Sequence, residues 1–69
     1  MDSINTYNAR LASVVENLLE LYEAPEASAW LKTPQSLLGN ARPADLLWTE
    51  RGYLEVSAVI HRVLDGAFI

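Results

Sequence analysis

The fold of this chain is decided by the stretch AWLKTPQSLLGNARPADLL, residues 29–47, and by the glycine that follows it at position 52. Three short apolar pieces are separated by Pro34, Gly39 and Pro43. Proline is favoured in the first turn of a helix, and glycine is favoured just beyond the last turn. The stretch therefore predicts short helices joined by tight turns, leading into one longer helix.

Two longer amphipathic segments flank this stretch. Apolar residues recur at helical spacing over Ile4–Glu23 and again over Glu50–Asp65, where Thr49 is a suitable N-cap. The predicted apolar face of the first helix comprises Ile4, Tyr7, Leu11, Val14, Val15, Leu18, Leu21 and Tyr22, among which Tyr7 and Tyr22 are core or oligomer contacts. The predicted main apolar face of the last helix comprises Tyr53, Val56, Val59, Ile60, Val63 and Leu64. Pro25 predicts the end of the first helix and the start of a second.

The short elements follow from the same punctuation. We predict a helix over Pro25–Lys32 with Ala29, Trp30 and Leu31 facing inward, and then a single turn that begins at Thr33-Pro34 and runs through Leu38. Gly39 and Asn40 should stop that turn, because both tolerate the left-handed conformation. Another short helix covers Ala44–Trp48, and Gly66 ends the last helix. No segment shows the alternation of a strand. The predicted class is all-α: residues 1–69 form one small compact helical domain, with long first and last helices around short Pro/Gly-punctuated ones.

Composition narrows the function classes. The chain has 69 residues, no cysteine and 51% hydrophobic residues. A chain this short has little interior, so we expect part of its apolar surface to be covered by a second copy or by a different protein, and we predict a homodimer. The formal net charge is −4 and the five basic residues are scattered, which argues against direct nucleic-acid binding. We find no membrane span and no signal peptide, so a cytoplasmic location is expected.

Enzymatic signals are nearly absent, and we predict neither an enzyme nor a cofactor. His61 and Asp65 share a helix face, but two ligands do not make a zinc site. A metal site would need a carboxylate from a second copy. Leu54 and Ala58 continue the same stripe toward the apolar tail Ala67-Phe68-Ile69. The stripe is either a partner-binding edge or an ordinary solvent face.

The ordered set of turns and apolar residues resembles the toxin-binding domain of Xre/MbcA/ParS-type antitoxins. The resemblance covers residues 27–66, a little more than half of the chain. The matching positions are Trp30, Leu31, Thr33, Pro34, Leu38, Gly39, Pro43, Leu46, Leu47, Gly52, Val56 and Gly66.

The resemblance implies a role. Antitoxins of this kind bind a toxin of the RES-domain class, which destroys cellular NAD, and cover its active-site entrance with their C-terminal region. The corresponding residues here are Leu54, Ala58, His61, Arg62, Asp65, Gly66, Ala67, Phe68 and Ile69. Arg62 and Asp65 would supply polar contacts, and Phe68 and Ile69 would form an apolar plug.

The chain departs from the family pattern at its front. Family members resemble a helix-turn-helix DNA-binding domain joined to the toxin-binding domain, whereas here only Ile4–Glu23 precedes the matching part. One helix cannot form a helix-turn-helix, so we expect no direct DNA binding by this chain. Either it is a shortened family member that only binds a partner, or the DNA-binding function resides elsewhere. The alternative function is a helical adaptor or structural homodimer with no toxin partner.

Overall fold

The first helix, α1, spans Ile4–Leu18 in the computed structural model, which describes residues 3–64. The Ser3 hydroxyl caps it by accepting a hydrogen bond from the Thr6 N–H at 3.2 Å. Val14 and Leu18 are its buried residues. The helix therefore begins where the apolar spacing predicts.

The predicted end of α1 at Glu23 is wrong, because the chain reverses direction before Pro25. Glu23 has extended backbone and caps the second helix, α2 (Ala24–Lys32), by a reciprocal capping box with Glu26. The preceding residues form a turn in which the Leu21 N–H donates to the Leu18 carbonyl at 2.9 Å. Leu21 and Tyr22 are consequently exposed, at 37% each, rather than on the inner face of a helix.

The buried residues of α2 are Ala27 and Leu31, while Trp30 is half-buried. Ala29 is exposed, so its predicted inward orientation is wrong; the short helix presents only a narrow stripe to the core. Thr33 ends α2 instead of starting the next turn, since its hydroxyl donates to the Ala29 carbonyl at 2.7 Å.

A 3₁₀ helix, Ser36–Leu38, follows and stops at Gly39. Gly39 and Asn40 both lie in the left-handed region, with φ of 67° and 63°. This conformation reverses the chain, and the Gln35 N–H then donates to the Ala41 carbonyl at 3.1 Å. The predicted stop at Gly39 and Asn40 is confirmed.

Two helices complete the described fold: α3 (Pro43–Leu46) and α4 (Glu50–Leu64). The predicted range Ala44–Trp48 for α3 is wrong at both ends, since the helix begins at Pro43 and ends at Leu46. Leu47 and Trp48 instead connect α3 to Thr49, which caps α4. Val63, which the helical spacing predicts on the inner face of α4, is 36% exposed. Asp65 and Gly66, the predicted end of α4, lie outside the described residues.

The core lies where α1, α2, α3 and α4 meet. Its buried apolar residues are Val14, Leu18, Ala27, Leu31, Leu47, Val56 and Ile60. Tyr7 ties α1 to α3, because its hydroxyl donates to the Ala44 carbonyl at 2.9 Å and its ring stacks on Trp48 at 4.0 Å. The predicted all-α class is confirmed. None of the helices within residues 3–64 is long and apolar enough to cross a bilayer.

Thr49 is the residue that starts α4, and it provides a direct test of the fold. Its hydroxyl accepts a hydrogen bond from the Gly52 N–H at 3.0 Å, as an N-cap does. We expect Thr49→Ala to lower the free energy of unfolding by about 1 kcal/mol, measured by urea denaturation. Thr49→Ser keeps the hydroxyl and is the control; equal losses in both variants would contradict the capping role.

Candidate partner-binding surface

Helix α4 has one buried face and one exposed face. Gly52, Val56 and Ile60 recur every four residues and are buried against the core. The opposite side of a helix that is buried along one stripe faces solvent. The functional candidates on α4 are therefore those on its outer side.

The predicted stripe lies on this outer side. Leu54 is 57% exposed, and Ala58, His61 and Arg62 are exposed as well. Leu54 and Ala58 line one shallow hollow together with Glu55. A leucine that is more than half exposed gains little from the fold of its own chain, so this side chain is available to another molecule.

Leu37 belongs to this surface although helical spacing along α4 does not predict it. It lies in the 3₁₀ helix, is 63% exposed, and shares a second hollow with Ala58 and Val59. The neighbouring Leu38 is the position that the family resemblance includes, and Leu38 packs against the core. We call Leu37, Leu54, Ala58, His61 and Arg62 the α4 outer surface.

Charge is distributed unevenly along the α4 outer surface. Near its start, Arg51 and Glu55 form an ion pair at 3.8 Å, in which the arginine side chain is 92% exposed. A pair so exposed contributes little to stability. His61 and Arg62 lie in the last turn, where a positive charge interacts favourably with the helix dipole. The hollow at the start of this surface is therefore lined by charged residues as well as by Leu54 and Ala58, namely Glu50, Arg51 and Glu55, and the other end carries His61 and Arg62.

The residues of the family resemblance have a different role from these. Leu31, Pro43, Leu47, Gly52 and Val56 are buried, and Trp30, Leu38 and Leu46 are half-buried. Thr33, Pro34 and Gly39 are exposed at the turns that join the helices. These residues build the scaffold, whereas the outer surface of α4 carries the exposed candidates.

The remaining predicted contact residues, Asp65, Gly66, Ala67, Phe68 and Ile69, lie outside the described residues. Among residues 3–64, no group of three or more His, Asp or Glu side chains is placed to hold a metal ion. Asp65, which the sequence pairs with His61 as a possible metal ligand, lies outside that range.

The sequence matches the family described as the antitoxin Xre/MbcA/ParS C-terminal toxin-binding domain over residues 12–66. This match covers most of the chain, so the chain belongs to that family. Its members are antitoxins of bacterial toxin–antitoxin systems. The predicted family is confirmed.

Curated relatives agree with this assignment. The chain is 36% identical over 67 residues to the Prs ADP-ribosylating antitoxin of a Sphingobium species, covering 87% of this chain and 42% of the relative. It is 37% identical over 62 residues to antitoxin Xre of Yersinia enterocolitica, with coverages of 87% and 42%.

A third relative is the mycobacterial cidal antitoxin MbcA of Mycobacterium tuberculosis, 34% identical over 59 residues, with coverages of 86% and 51%. The chain therefore spans about half the length of the curated relatives it matches. No solved structure is significantly similar to it.

Proposed function

We propose that this chain neutralises a RES-type toxin that consumes NAD, by binding across the entrance to the toxin's active site. The contact is made by the α4 outer surface and by the residues that follow it, Asp65–Ile69. The single observation that carries the proposal is the exposure of Leu54 and Leu37, at 57% and 63%, on a domain of the toxin-binding family.

Inhibition on this proposal requires no chemistry from the chain itself. Leu54 and Ala58 supply the apolar centre of the contact, which is where binding free energy concentrates. Arg62 and Asp65 make polar contacts at its edge, and Phe68 and Ile69 fill the entrance. A blocked entrance stops NAD from reaching the toxin, which accounts for neutralisation in the cytoplasm.

The proposal is tested with the protein encoded by the adjacent gene. Expressed alone, that protein is expected to deplete cellular NAD; expressed with this chain, it should co-purify with it while NAD recovers. One relative's name refers to ADP-ribosylation, and transfer of ADP-ribose also consumes NAD. The assay should therefore record both free ADP-ribose and ADP-ribosylated protein.

Removing Gly66–Ile69 tests the contribution of the last residues. We expect toxin binding to weaken at least about 100-fold, by analogy with the loss of apolar hot-spot residues. The helical circular-dichroism signal and the Tm should stay unchanged, because the buried core lies within residues 14–60. The full-length variant Phe68→Ala/Ile69→Ala is the control for chain length. If the truncated chain binds the toxin with normal affinity, the last residues do not plug the entrance to its active site.

The second candidate, an adaptor or structural homodimer without a toxin, is favoured by one observation: a large apolar groove lies on the side of α1 and α2. It predicts that no neighbouring gene product binds and none depletes NAD. A homodimer is also compatible with the antitoxin function, because the groove and the α4 outer surface share no residues.

A further inference from the structure

Three apolar residues whose exposure departs from the helical spacing meet in one place. Leu21 and Tyr22, in the turn after α1, and Val63, near the end of α4, line a single hollow of about 140 Å³ together with Trp30 and Leu37. Trp30 is half-buried and the other four side chains are exposed. Single exposed apolar residues are ordinary on a protein surface, whereas a cluster of them marks a site of interaction. We call this depression the turn hollow.

The turn hollow has a fixed base. Leu18 and Ile60, which lie at this base, are buried as part of the core. The N–H groups of Leu21 and Tyr22 both donate to the Leu18 carbonyl, at 2.9 and 2.8 Å, and hold the turn in place. The exposed apolar side chains of the turn are therefore presented by hydrogen-bonded backbone above a packed core.

The lining of the turn hollow is uncharged among the residues that the structure describes. The side-chain amide of Gln35 donates to the carbonyls of Trp30 and Thr33, at 3.2 and 3.0 Å, so its N–H groups are engaged within the chain. Tyr22 and Trp30 offer a large apolar surface with a polar edge, and both residue types are enriched where binding free energy concentrates in protein interfaces. The turn hollow therefore suits apolar side chains of another protein rather than an anion or a nucleic acid.

Charged residues adjoin this lining along the chain. Glu20 and Glu23 lie in the turn and Arg62 lies in α4, and all three are exposed. Complementary charges at the edge of an interface guide association and select the partner. A matching protein would carry basic residues beside the apolar side chains that face the turn, and an acidic residue beside those that face α4.

The turn hollow continues into the α4 outer surface. It shares Leu37 and Val59 with the second hollow, and that hollow shares Glu55 and Ala58 with the one beside Leu54. The three depressions therefore adjoin one another from the start of α4 to the turn after α1. A protein that covers Leu54 and Leu37 also reaches the turn hollow.

The exposed face of α4 alone is small for a protein interface. A helix of 15 residues is about 22 Å long and about 10 Å wide. One face of such a helix offers less area than the roughly 800 Å² that each partner buries in a standard interface. The adjoining turn hollow supplies further apolar surface to the same contact.

We propose that apolar side chains of the toxin, from a part of it outside its active-site entrance, bind in the turn hollow. The inference rests on the proposed function and divides it between two parts of this chain: the turn hollow anchors the toxin, while Asp65–Ile69 block the entrance. The apolar groove on the side of α1 and α2 shares no residue with the turn hollow. A molecule seated in that groove would thus leave the turn hollow open to the toxin.

Leu21→Glu tests this anchor. The new carboxylate would be buried in the complex without a partner, so affinity for the purified toxin should fall at least about 30-fold in isothermal titration calorimetry. Inhibition of NAD consumption should still be complete at saturation, because Asp65–Ile69 are intact. Leu19→Glu is the matched control, since Leu19 is an exposed leucine two residues away that lines the groove and not the turn hollow. The control should bind the toxin with unchanged affinity, and circular dichroism should show equal helix content in both variants.

Fluorine NMR tests the same contact without a substitution in the turn hollow. The chain has two tryptophans: Trp30 lines the turn hollow, whereas Trp48 stacks on Tyr7 and does not line it. With 5-fluorotryptophan in this chain and unlabelled toxin, the Trp30 signal should shift on binding and the Trp48 signal should keep its position. Trp48→Phe assigns the two signals. An unshifted Trp30 signal in a complex that no longer consumes NAD would overturn the anchor.

Other occupants of the turn hollow give different results. A Trp30 signal that depends on the concentration of the free chain would assign the turn hollow to a second copy. A signal that moves when Gly66–Ile69 are removed from the free chain would assign it to the chain's own last residues, and either result overturns the inference.

The failures of the two proposals are distinguishable. If Leu21→Glu binds the toxin as tightly as the unmodified chain does, the anchor fails and the proposed function stands. If the unmodified chain neither binds the toxin nor preserves NAD, the proposed function fails, and the anchor fails with it.

Discussion

Replacing Leu54 by glutamate is expected to abolish neutralisation of the toxin while the fold remains intact. The side chain is 57% exposed, so its loss costs the chain little apolar burial. In the complex, however, the new carboxylate would be buried at the centre of an apolar contact without a partner. Substitutions at such central positions cost about 2–4 kcal/mol, or roughly 30- to 1,000-fold in affinity.

Binding of the purified toxin to Leu54→Glu, followed by NAD measurements in cells that express both proteins, tests this expectation. Ile4→Glu is the matched control, because Ile4 is 58% exposed and lies on α1, away from the α4 outer surface. The control should bind the toxin with unchanged affinity. Equal losses of toxin affinity in both variants would mean that the change in net charge, and not the position on the surface, is responsible. An unchanged affinity in Leu54→Glu would mean that α4 does not contact the toxin.

Leu37 refines the same test. It shares a hollow with Ala58, so a toxin that covers Leu54 and Ala58 should also reach Leu37. Leu37 and Ala58 lie in different helices that are separated along the chain. The periodicity of apolar residues within one helix cannot predict that two such residues are close in space. The sequence therefore predicts a partner-binding stripe along α4, and the proposed extension of this stripe to Leu37 in the 3₁₀ helix comes from the structure.

Local signals predicted the starts of helices better than their ends. Ser3 and Thr49 cap α1 and α4 through hydroxyl groups that a sequence pattern identifies. The end of α1 depended instead on Glu23, whose capping box with Glu26 withdraws it from the first helix. Apolar spacing continues through Leu21 and Tyr22, so the pattern gave no sign of the turn that exposes them.

The groove along α1 illustrates a second limit of predicting structure from sequence patterns. The high apolar content predicted that some surface would be covered by another chain, but did not predict which one. Tyr7, Leu11 and Val15 lie on the apolar face that helical spacing predicts for the first helix, and in the structure they are half-buried and line the groove. Helical periodicity identifies an apolar face; how much of that face the rest of the chain covers is set by tertiary packing.

Gly52 is the position where a single methyl group should do the most damage to the fold. A Cβ built on Gly52 would lie 2.0 Å from the Leu46 carbonyl oxygen, far inside van der Waals contact. The obstacle is backbone of α3, which cannot rotate away as a side chain would. Gly52 is also buried at the start of α4 and donates its N–H to Thr49. Glycine here permits the first turn of α4 to pack directly on the end of α3.

We expect Gly52→Ala to lower the free energy of unfolding by about 3 kcal/mol, in the range of severe core disruptions. This loss would remain after the gain of about 1 kcal/mol that alanine brings to a helix interior. A domain of this size has only about 3–5 kcal/mol of net stability, so the variant should keep at most about 2 kcal/mol and be appreciably unfolded at 37 °C. Urea denaturation followed by circular dichroism measures the loss.

Gly39→Ala is the informative comparison, because alanine is unfavourable at the two positions for different physical reasons. Gly39 has φ of 67° and no atom within 4 Å of a built Cβ, so alanine there meets open space but an unfavourable backbone conformation. That conformation costs about 1–2 kcal/mol. Gly52→Ala should therefore be the more destabilising of the two. If it is the milder one, α3 and α4 separate easily, and the close approach at Leu46 is not what the fold requires of this residue.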